Sequence, residues 1–282
     1  KPFIPAEYIE EARGLAAGSG LPEESVLLVN IFPELFHCSG FALWGKATGD
    51  GKLYHGRILD YMTEIGLQSV AVVIVSQPQG KQPWVNIGFA GFIGSVTGMN
   101  GAKIAVGEMG GRGEGNWKGM PMSYLVRHVL ENATTLDQAV GLFRDTPRTC
   151  EYYYVVSDAK IPSARGIYGT PDHFEVIEPG KAHARLPHPV QDAVLMSAGD
   201  RYKRLAMRAQ ANYGSFGAAQ SLALMRRPVA MKSCLHAVLF CPTDLTFWVA
   251  IATKDAQPAS EQPYAFYDFK QMLKPEVIKG HL

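Results

Sequence analysis

The chain lacks the marks of a membrane or nucleic-acid protein. Nowhere in its 282 residues do about 18 apolar side chains run together, so no transmembrane helix is expected. Lys and Arg number 27 against 26 Asp and Glu, a net charge of +1, which provides no field for a polyanion or an anionic lipid surface. Cysteine is scarce: Cys38, Cys150, Cys234 and Cys241 are too few for a disulfide scaffold. No Cys-x-x-Cys or His-x-x-x-His spacing occurs, so no metal site is expected. Gly110-Gly111-Arg112-Gly113 lacks the strand–loop–helix context and the Lys-Ser/Thr of a phosphate loop, and no other cofactor pattern stands out. Internal repeats, low-complexity tracts and clear linkers are absent as well, which points to one domain.

Hydrophobic residues make up 47% of the chain and charged residues 19%, enough for a substantial core. The chain opens Lys1-Pro2-Phe3 without methionine, so a trimmed start is expected, and a secreted or periplasmic location stays open.

Residues 5–32 are read as two helices separated by Gly18-Ser19-Gly20, the second led by Pro22. After Cys38 the pattern becomes strand-like. Phe41–Ala47 and Leu53–Leu59 flank Thr48-Gly49-Asp50-Gly51, a hairpin signal. Further strands are expected at 70–75, 85–89, 93–97 and 104–106, followed by a glycine-rich loop over 107–115. Pro121 and the capping box at Thr135 each start a helix. Later strands are read at 152–156, 166–168, 174–177, 193–196, 237–240 and 245–251, with helices at 202–211 and 218–225. Hairpins outnumber βαβ units, so the sheets should be mainly antiparallel.

Cys38 heads the first strand, and the second carries Arg57 and Asp60. A thiol attacks carbonyls as thiolate and needs a base or a lowered pKa. None of the eight histidines stands in a familiar context for that role. The residue's own α-amine, with an ordinary pKa of about 7.7–8.0, would serve once Cys38 is the first residue of its chain. A nearby guanidinium favours the thiolate, and a carboxylate orients an ammonium, so Arg57 and Asp60 suit that site. A plain salt bridge at a strand end is the other reading of the pair. Two more readings stay open: Cys234 and Cys241 as a disulfide or as core thiols, and the run Tyr152-Tyr153-Tyr154 as core or as the floor of a pocket. Asn100, before Gly101, is read as a turn residue.

Taken together, Cys38-Ser39, Thr48-Gly49-Asp50-Gly51-Lys52, His55-Gly56-Arg57-Ile58-Leu59-Asp60, Gly98-Met99-Asn100-Gly101 and Leu235-His236-Ala237-Val238 are similar to the N-terminal-nucleophile hydrolases. Ala16–Leu21, Val29-Asn30 and Glu34-Leu35 match the leader of the same group, the branch of acyl-coenzyme A:6-aminopenicillanic acid acyltransferase and choloylglycine hydrolase. The resemblance implies an α+β fold, a four-layer αββα sandwich of two mainly antiparallel sheets. It implies a helical leader over 1–37 packed on a catalytic domain over 38–282, with self-cleavage at His37–Cys38. Cys38 would then be the nucleophile, supported by Arg57 and Asp60, and the substrate a small acyl amide. Hydrolysis is the first expectation. Transfer to an amine, or a non-catalytic binding module, are the alternatives, and homo-oligomerisation is left open. The family usually places asparagines in the oxyanion site, whereas this chain reads Glu108-Met109-Gly110 and Ser197-Ala198-Gly199 at those positions. Ser197, Glu108, Gly110 and Gly199 are therefore the candidate oxyanion or substrate-binding positions. Arg201 falls where the family also carries an arginine, with a solvated helix-start role as its alternative.

Overall fold

Glycine and proline punctuate the amino-terminal helices as their spacing predicts. Helix α1 (Ala6–Ser19) ends on Gly20, whose φ of 71° lies in the left-handed region that terminates helices cheaply. Pro22 precedes α2 (Glu23–Ile31). Residues 1–31 and 38–274 are described by the structure, a computed structural model, with backbone alone at 112–114.

Thirteen strands follow among the described residues: β1 (Ser39–Leu43), β2 (Tyr54–Asp60), β3 (Ala71–Ser76), β4 (Trp84–Phe89), β5 (Thr97–Asn100), β6 (Ile104–Gly115), β7 (Cys150–Asp158), β8 (Ser163–Gly169), β9 (Phe174–Ile177), β10 (Ala193–Met196), β11 (Cys234–Cys241), β12 (Thr246–Ile251) and β13 (Ala265–Asp268). The helices that separate them are α3 (Met122–Asn132), α4 (Leu136–Asp145), α5 (Gly199–Ala211), α6 (Ala218–Leu224) and a short α7 (Phe269–Met272).

One sheet has the order β10-β1-β2-β11-β12-β13; the other is a meander from β3 through β9. Every strand pair is antiparallel. The sheets pack face to face, β1 and β2 against β6 and β7, and β10 against β8. Helices α3 and α4 cover the outside of the meander, while α5 and α6 cover the six-stranded sheet. The result is a four-layer αββα sandwich.

Several elements differ from the expectations. Strand β1 stops at Leu43, and residues 45–47 form a 3₁₀ turn. The β1–β2 link is therefore not a tight Asp-Gly hairpin. It is pinned instead by Lys46 N donating to Asp192 Oδ2 (2.8 Å) and Gly49 N donating to Phe216 O (2.9 Å). No strand covers 93–96, because Asn30 Oδ1 takes the amides of Ile93 (2.7 Å) and Gly94 (3.2 Å) that a strand would pair. The expected glycine-rich loop at 107–115 is the distal part of β6, with a register shift between Gly110 and Gly115. Cys234 and Cys241 stand at opposite ends of β11, about 24 Å apart at 3.4 Å per residue, so they are thiols; none of the four cysteines is in a disulfide. Strand β13 and α7 were not foreseen.

The amino-terminal helices are packed onto the sandwich. Tyr8 is fully buried; its hydroxyl donates to Glu131 Oε2 (2.7 Å), and the Arg127 guanidinium lies 4.1 Å above its ring. Asn30 also donates to Gly91 O (3.1 Å), and its carbonyl accepts from Ser123 Oγ.

Candidate active site

Register sets the site. Gly40 on β1 pairs with Arg57 on β2, so Cys38, Gly40 and Arg57 project from one face of their sheet, toward the other sheet. Gly40 has no side chain to block this face; a Cβ there would meet Met109 Sδ at 2.7 Å. Arg57 Nη2 reaches Cys38 Sγ at 3.2 Å. The same nitrogen contacts Glu108 Oε2 at 3.2 Å, and Arg57 Nε donates to Glu108 O at 3.0 Å. Arg57 and Glu108 are both fully buried, so each compensates the other's charge. The Gly110 amide also hydrogen-bonds the Cys38 thiol.

Asp60 lies on the other face of β2, toward α5. Its Oδ2 accepts from Arg201 Nη1, and its Oδ1 accepts from Met231 N at 2.9 Å. Arg201 also reaches Cys38 O through Nη2 (3.4 Å) and Ser39 Oγ through Nη1 (3.3 Å). Ser39 Oγ is 2.7 Å from Ser197 Oγ. Cys38 thus sits between two charge networks. Arg57, paired with Glu108, meets its sulfur, while Arg201, paired with Asp60, meets its backbone carbonyl.

Burial pushes the Cys38 thiol up to about 11, with Arg57 pulling the other way and Glu108 and Asp60 adding to the rise. Burial likewise raises Asp60 to about 6, against the pull of Arg201, the Met231 amide and Arg57. His55 and His236, fully buried near Arg57, are held neutral by burial, His55 at about 3. Their ring nitrogens bond Ser157 Oγ (2.8 Å) and Thr97 Oγ1 (3.0 Å) respectively, not the Cys38 sulfur.

A cavity of about 230 Å³ opens onto Cys38, lined among others by Gly110, Tyr153, Ser197, Gly199 and Arg201. Gly110, Tyr153, Arg185 and Ala198 also border an outer groove of about 880 Å³ that contains Glu151 and Asp172. Tyr152 and Tyr154 are core residues, so only the middle ring of the tyrosine run reaches the site.

Cys38, Gly110, Ser197, Gly199 and Arg201 therefore line one cavity; Arg57 and Glu108 are buried behind the Cys38 sulfur and Asp60 behind Arg201, while the His37 half of the expected cleavage site lies outside the described residues. Arg201 is an ion-pair partner rather than a solvated helix-start residue. Asn100 is a buried helix cap: Nδ2 donates to Leu130 O and Ala133 O (both 2.8 Å), and Oδ1 accepts from Ile104 N (3.0 Å). Ser39 was not singled out from sequence. The only signal for it was its place next to the thiol, and its partners come from distant segments.

Comparison with known proteins follows the same line. Solved structures superpose over most of the chain. The Caenorhabditis elegans N-acylethanolamine-hydrolyzing acid amidase ortholog gives a TM-score of 0.59 at 18% identity, over 73% of this chain and 93% of that one. A variant of conjugated bile acid hydrolase from Clostridium perfringens gives 0.55 at 11%, over 86% and 100%. This is the N-terminal-nucleophile hydrolase fold. Within that fold, residues 47–165 match the family model of acyl-coenzyme A:6-aminopenicillanic acid acyl-transferase. Protein dcd1B of Dictyostelium discoideum is 29% identical over 200 residues, covering 67% of this chain and 40% of its own length. Acid ceramidase of Rattus norvegicus is 28% identical over 183 residues, covering 54% and 45%. The chain thus spans less than half the length of these curated relatives. The likeness to the acyltransferase and choloylglycine hydrolase branch, read from residues 38–60, extends to this wider group of N-terminal-nucleophile hydrolases.

Proposed function

We propose that this chain is a self-processed cysteine amidohydrolase, with residues 1–37 as its leader and 38–282 as its catalytic domain. The Arg57 guanidinium 3.2 Å from the Cys38 sulfur carries this reading. In processing, the Cys38 thiol adds to the His37 carbonyl carbon and the His37–Cys38 C–N bond breaks. The thiol proton passes to the departing nitrogen, and a thioester replaces the amide. Water then hydrolyses the thioester, leaving a carboxylate on His37 and a free α-amine on Cys38.

In the processed enzyme the α-amine accepts the thiol proton and Arg57 stabilises the thiolate. The thiolate attacks the acyl carbon of a linear N-acyl amide. The α-ammonium returns the proton to the leaving amine, and the acyl group stays on sulfur as a thioester. The amine next takes a proton from water, hydroxide attacks the thioester, and a carboxylic acid leaves. Arg201, which reaches the Cys38 carbonyl and is anchored by Asp60, holds the new terminus in place. Burial raises the thiol pKa, so the sulfur needs a proton acceptor beside it, and the α-amine freed by processing is that acceptor in this reading. The cavity at Cys38, opening to a larger groove, favours an enzyme over a binding module.

The substrate class is an N-acyl amide of the kind named by the relatives, an N-acylethanolamine, a ceramide or a conjugated bile acid. Incubating processed wild type and Cys38→Ala with that panel, and quantifying released carboxylic acid by mass spectrometry, tests the reading. Wild type should release acid and Cys38→Ala none; release by both would refute it. Transfer to an amine is favoured by the acyltransferase model match and uses the same residues. A new amide formed on adding a free amine would distinguish it.

A further inference from the structure

The proposed chemistry needs a hydrogen-bond donor for the negatively charged oxygen that forms when the thiolate adds to the acyl carbon. Ser197 is the hydroxyl that lines the Cys38 cavity, and a hydroxyl is an uncertain donor because its proton rotates. Here the rotation is constrained. Ser39 is fully buried, and among the described residues its hydroxyl has two hydrogen-bond neighbours, Arg201 Nη1 at 3.3 Å and Ser197 Oγ at 2.7 Å. Arginine only donates, so Ser39 accepts from Arg201. The Ser39 proton then has one acceptor, Ser197 Oγ, and an unmade buried donor would cost about 1–3 kcal/mol. Ser197 accepts in turn, so its own proton is not spent on Ser39. Ser197 lines the Cys38 cavity.

We propose that Ser39 is a positioning residue that sets the direction of a three-member chain, Arg201 to Ser39 to Ser197, and so presents the Ser197 proton to the acyl oxygen as an oxyanion donor. Asp60 belongs to the same device: it accepts a hydrogen bond from Arg201 Nη1 and anchors the guanidinium that starts the chain. This inference rests on Cys38 being the acylated nucleophile.

The experiment is pre-steady-state acylation of the full, processed chain by p-nitrophenyl octanoate, with the Cys38 adduct followed by intact mass and steady-state kcat and KM measured alongside. Ser197→Ala should lower the acylation rate and kcat by about 100-fold, within the range for loss of one oxyanion donor, with KM within about twofold. Ser39→Ala should lower both rates about tenfold, and Ser39→Thr, which keeps the hydroxyl, should restore them. The double variant should be no slower than Ser197→Ala alone, because Ser39 acts only through Ser197. Multiplying losses in the double variant, or Ser39→Thr as slow as Ser39→Ala, would overturn the relay while leaving Cys38 as the nucleophile. Failure of wild type to form a Cys38 adduct would overturn both together.

Discussion

Arg57 Nη2 lies 3.2 Å from the Cys38 sulfur and also 3.2 Å from Glu108 Oε2, so one nitrogen of a fully buried guanidinium joins the thiol to a buried carboxylate. The two neighbours act on the sulfur in opposite directions: Arg57 lowers the thiol pKa and Glu108 raises it. Glu108→Gln should therefore move the pH midpoint of Cys38 alkylation by iodoacetamide down, and Arg57→Leu should move it up. Peptide mass spectrometry of the alkylated site gives both midpoints. Shifts of the same sign would contradict the electrostatic assignment.

Glu108 also carries stability. Removing one member of a buried ion pair leaves an uncompensated charge and costs about 3–5 kcal/mol. Glu108→Ala should lower the urea midpoint by a corresponding amount, and Glu108→Gln, which keeps a polar group of the same shape, by less. Equal loss in both would mean that the lost charge, not packing, dominates at this position.

Asp60 gives the activity its acidic limb. Its carboxyl is raised to about 6, so it is neutral well below that pH and ionised above it. Only the ionised form pairs with Arg201, so kcat/KM should rise as pH climbs through about 6. The stability sign is opposite. A carboxyl raised above its unfolded value favours the folded state at low pH, and that contribution disappears as pH passes the same value. A pH–rate profile for wild type and Asp60→Asn checks this; the variant should have lower activity and no limb near 6.

Asn100 provides the contrast. Its three hydrogen bonds tie the end of β5 to the last turn of α3 and to Ile104. At about 1 kcal/mol each, Asn100→Ala should lose about 3 kcal/mol of stability. Its turnover per folded molecule should stay near wild type, unlike that of Asp60→Asn. Thermal denaturation with active-site titration separates the two effects.

The amino-terminal helices share the core of the sandwich, so the proposed cleavage alone should not release them. Tyr8 is buried against Tyr124 (5.7 Å between ring centroids), Arg127 and Glu131. Cleaved protein should elute from size exclusion as one species containing both pieces. Tyr8→Ala, at about 3–5 kcal/mol, should loosen the leader and let it separate.

What the sequence made legible was local. The nearness of Cys38 and Arg57 was legible because two consecutive antiparallel strands bring them together, whereas Asp60 faces the other side of β2 and is linked to Cys38 through Arg201. The helix starts at Pro121 and Thr135 were readable because their signals lie within one turn; Gln138 N donates to Thr135 Oγ1 as a capping box requires. Residues 107–115 were misread because glycine usually marks a loop. Here Gly107 makes room between the sheets, where a Cβ would meet Arg57 Cγ at 2.8 Å, and no local pattern encodes that neighbour. The Asp60–Arg201 pair and the Ser39–Ser197 contact were hidden for a related reason. Each joins residues well over 100 positions apart, and only the stacking of β1, β2, β10 and α5 brings them together.

Intact-mass measurement of purified wild type and Cys38→Ala tests the central claim most directly. Wild type should separate under denaturing conditions into fragments of residues 1–37 and 38–282, while Cys38→Ala stays whole. Wild type that remains a single uncut chain and still hydrolyses acyl amides would contradict the free-amine mechanism.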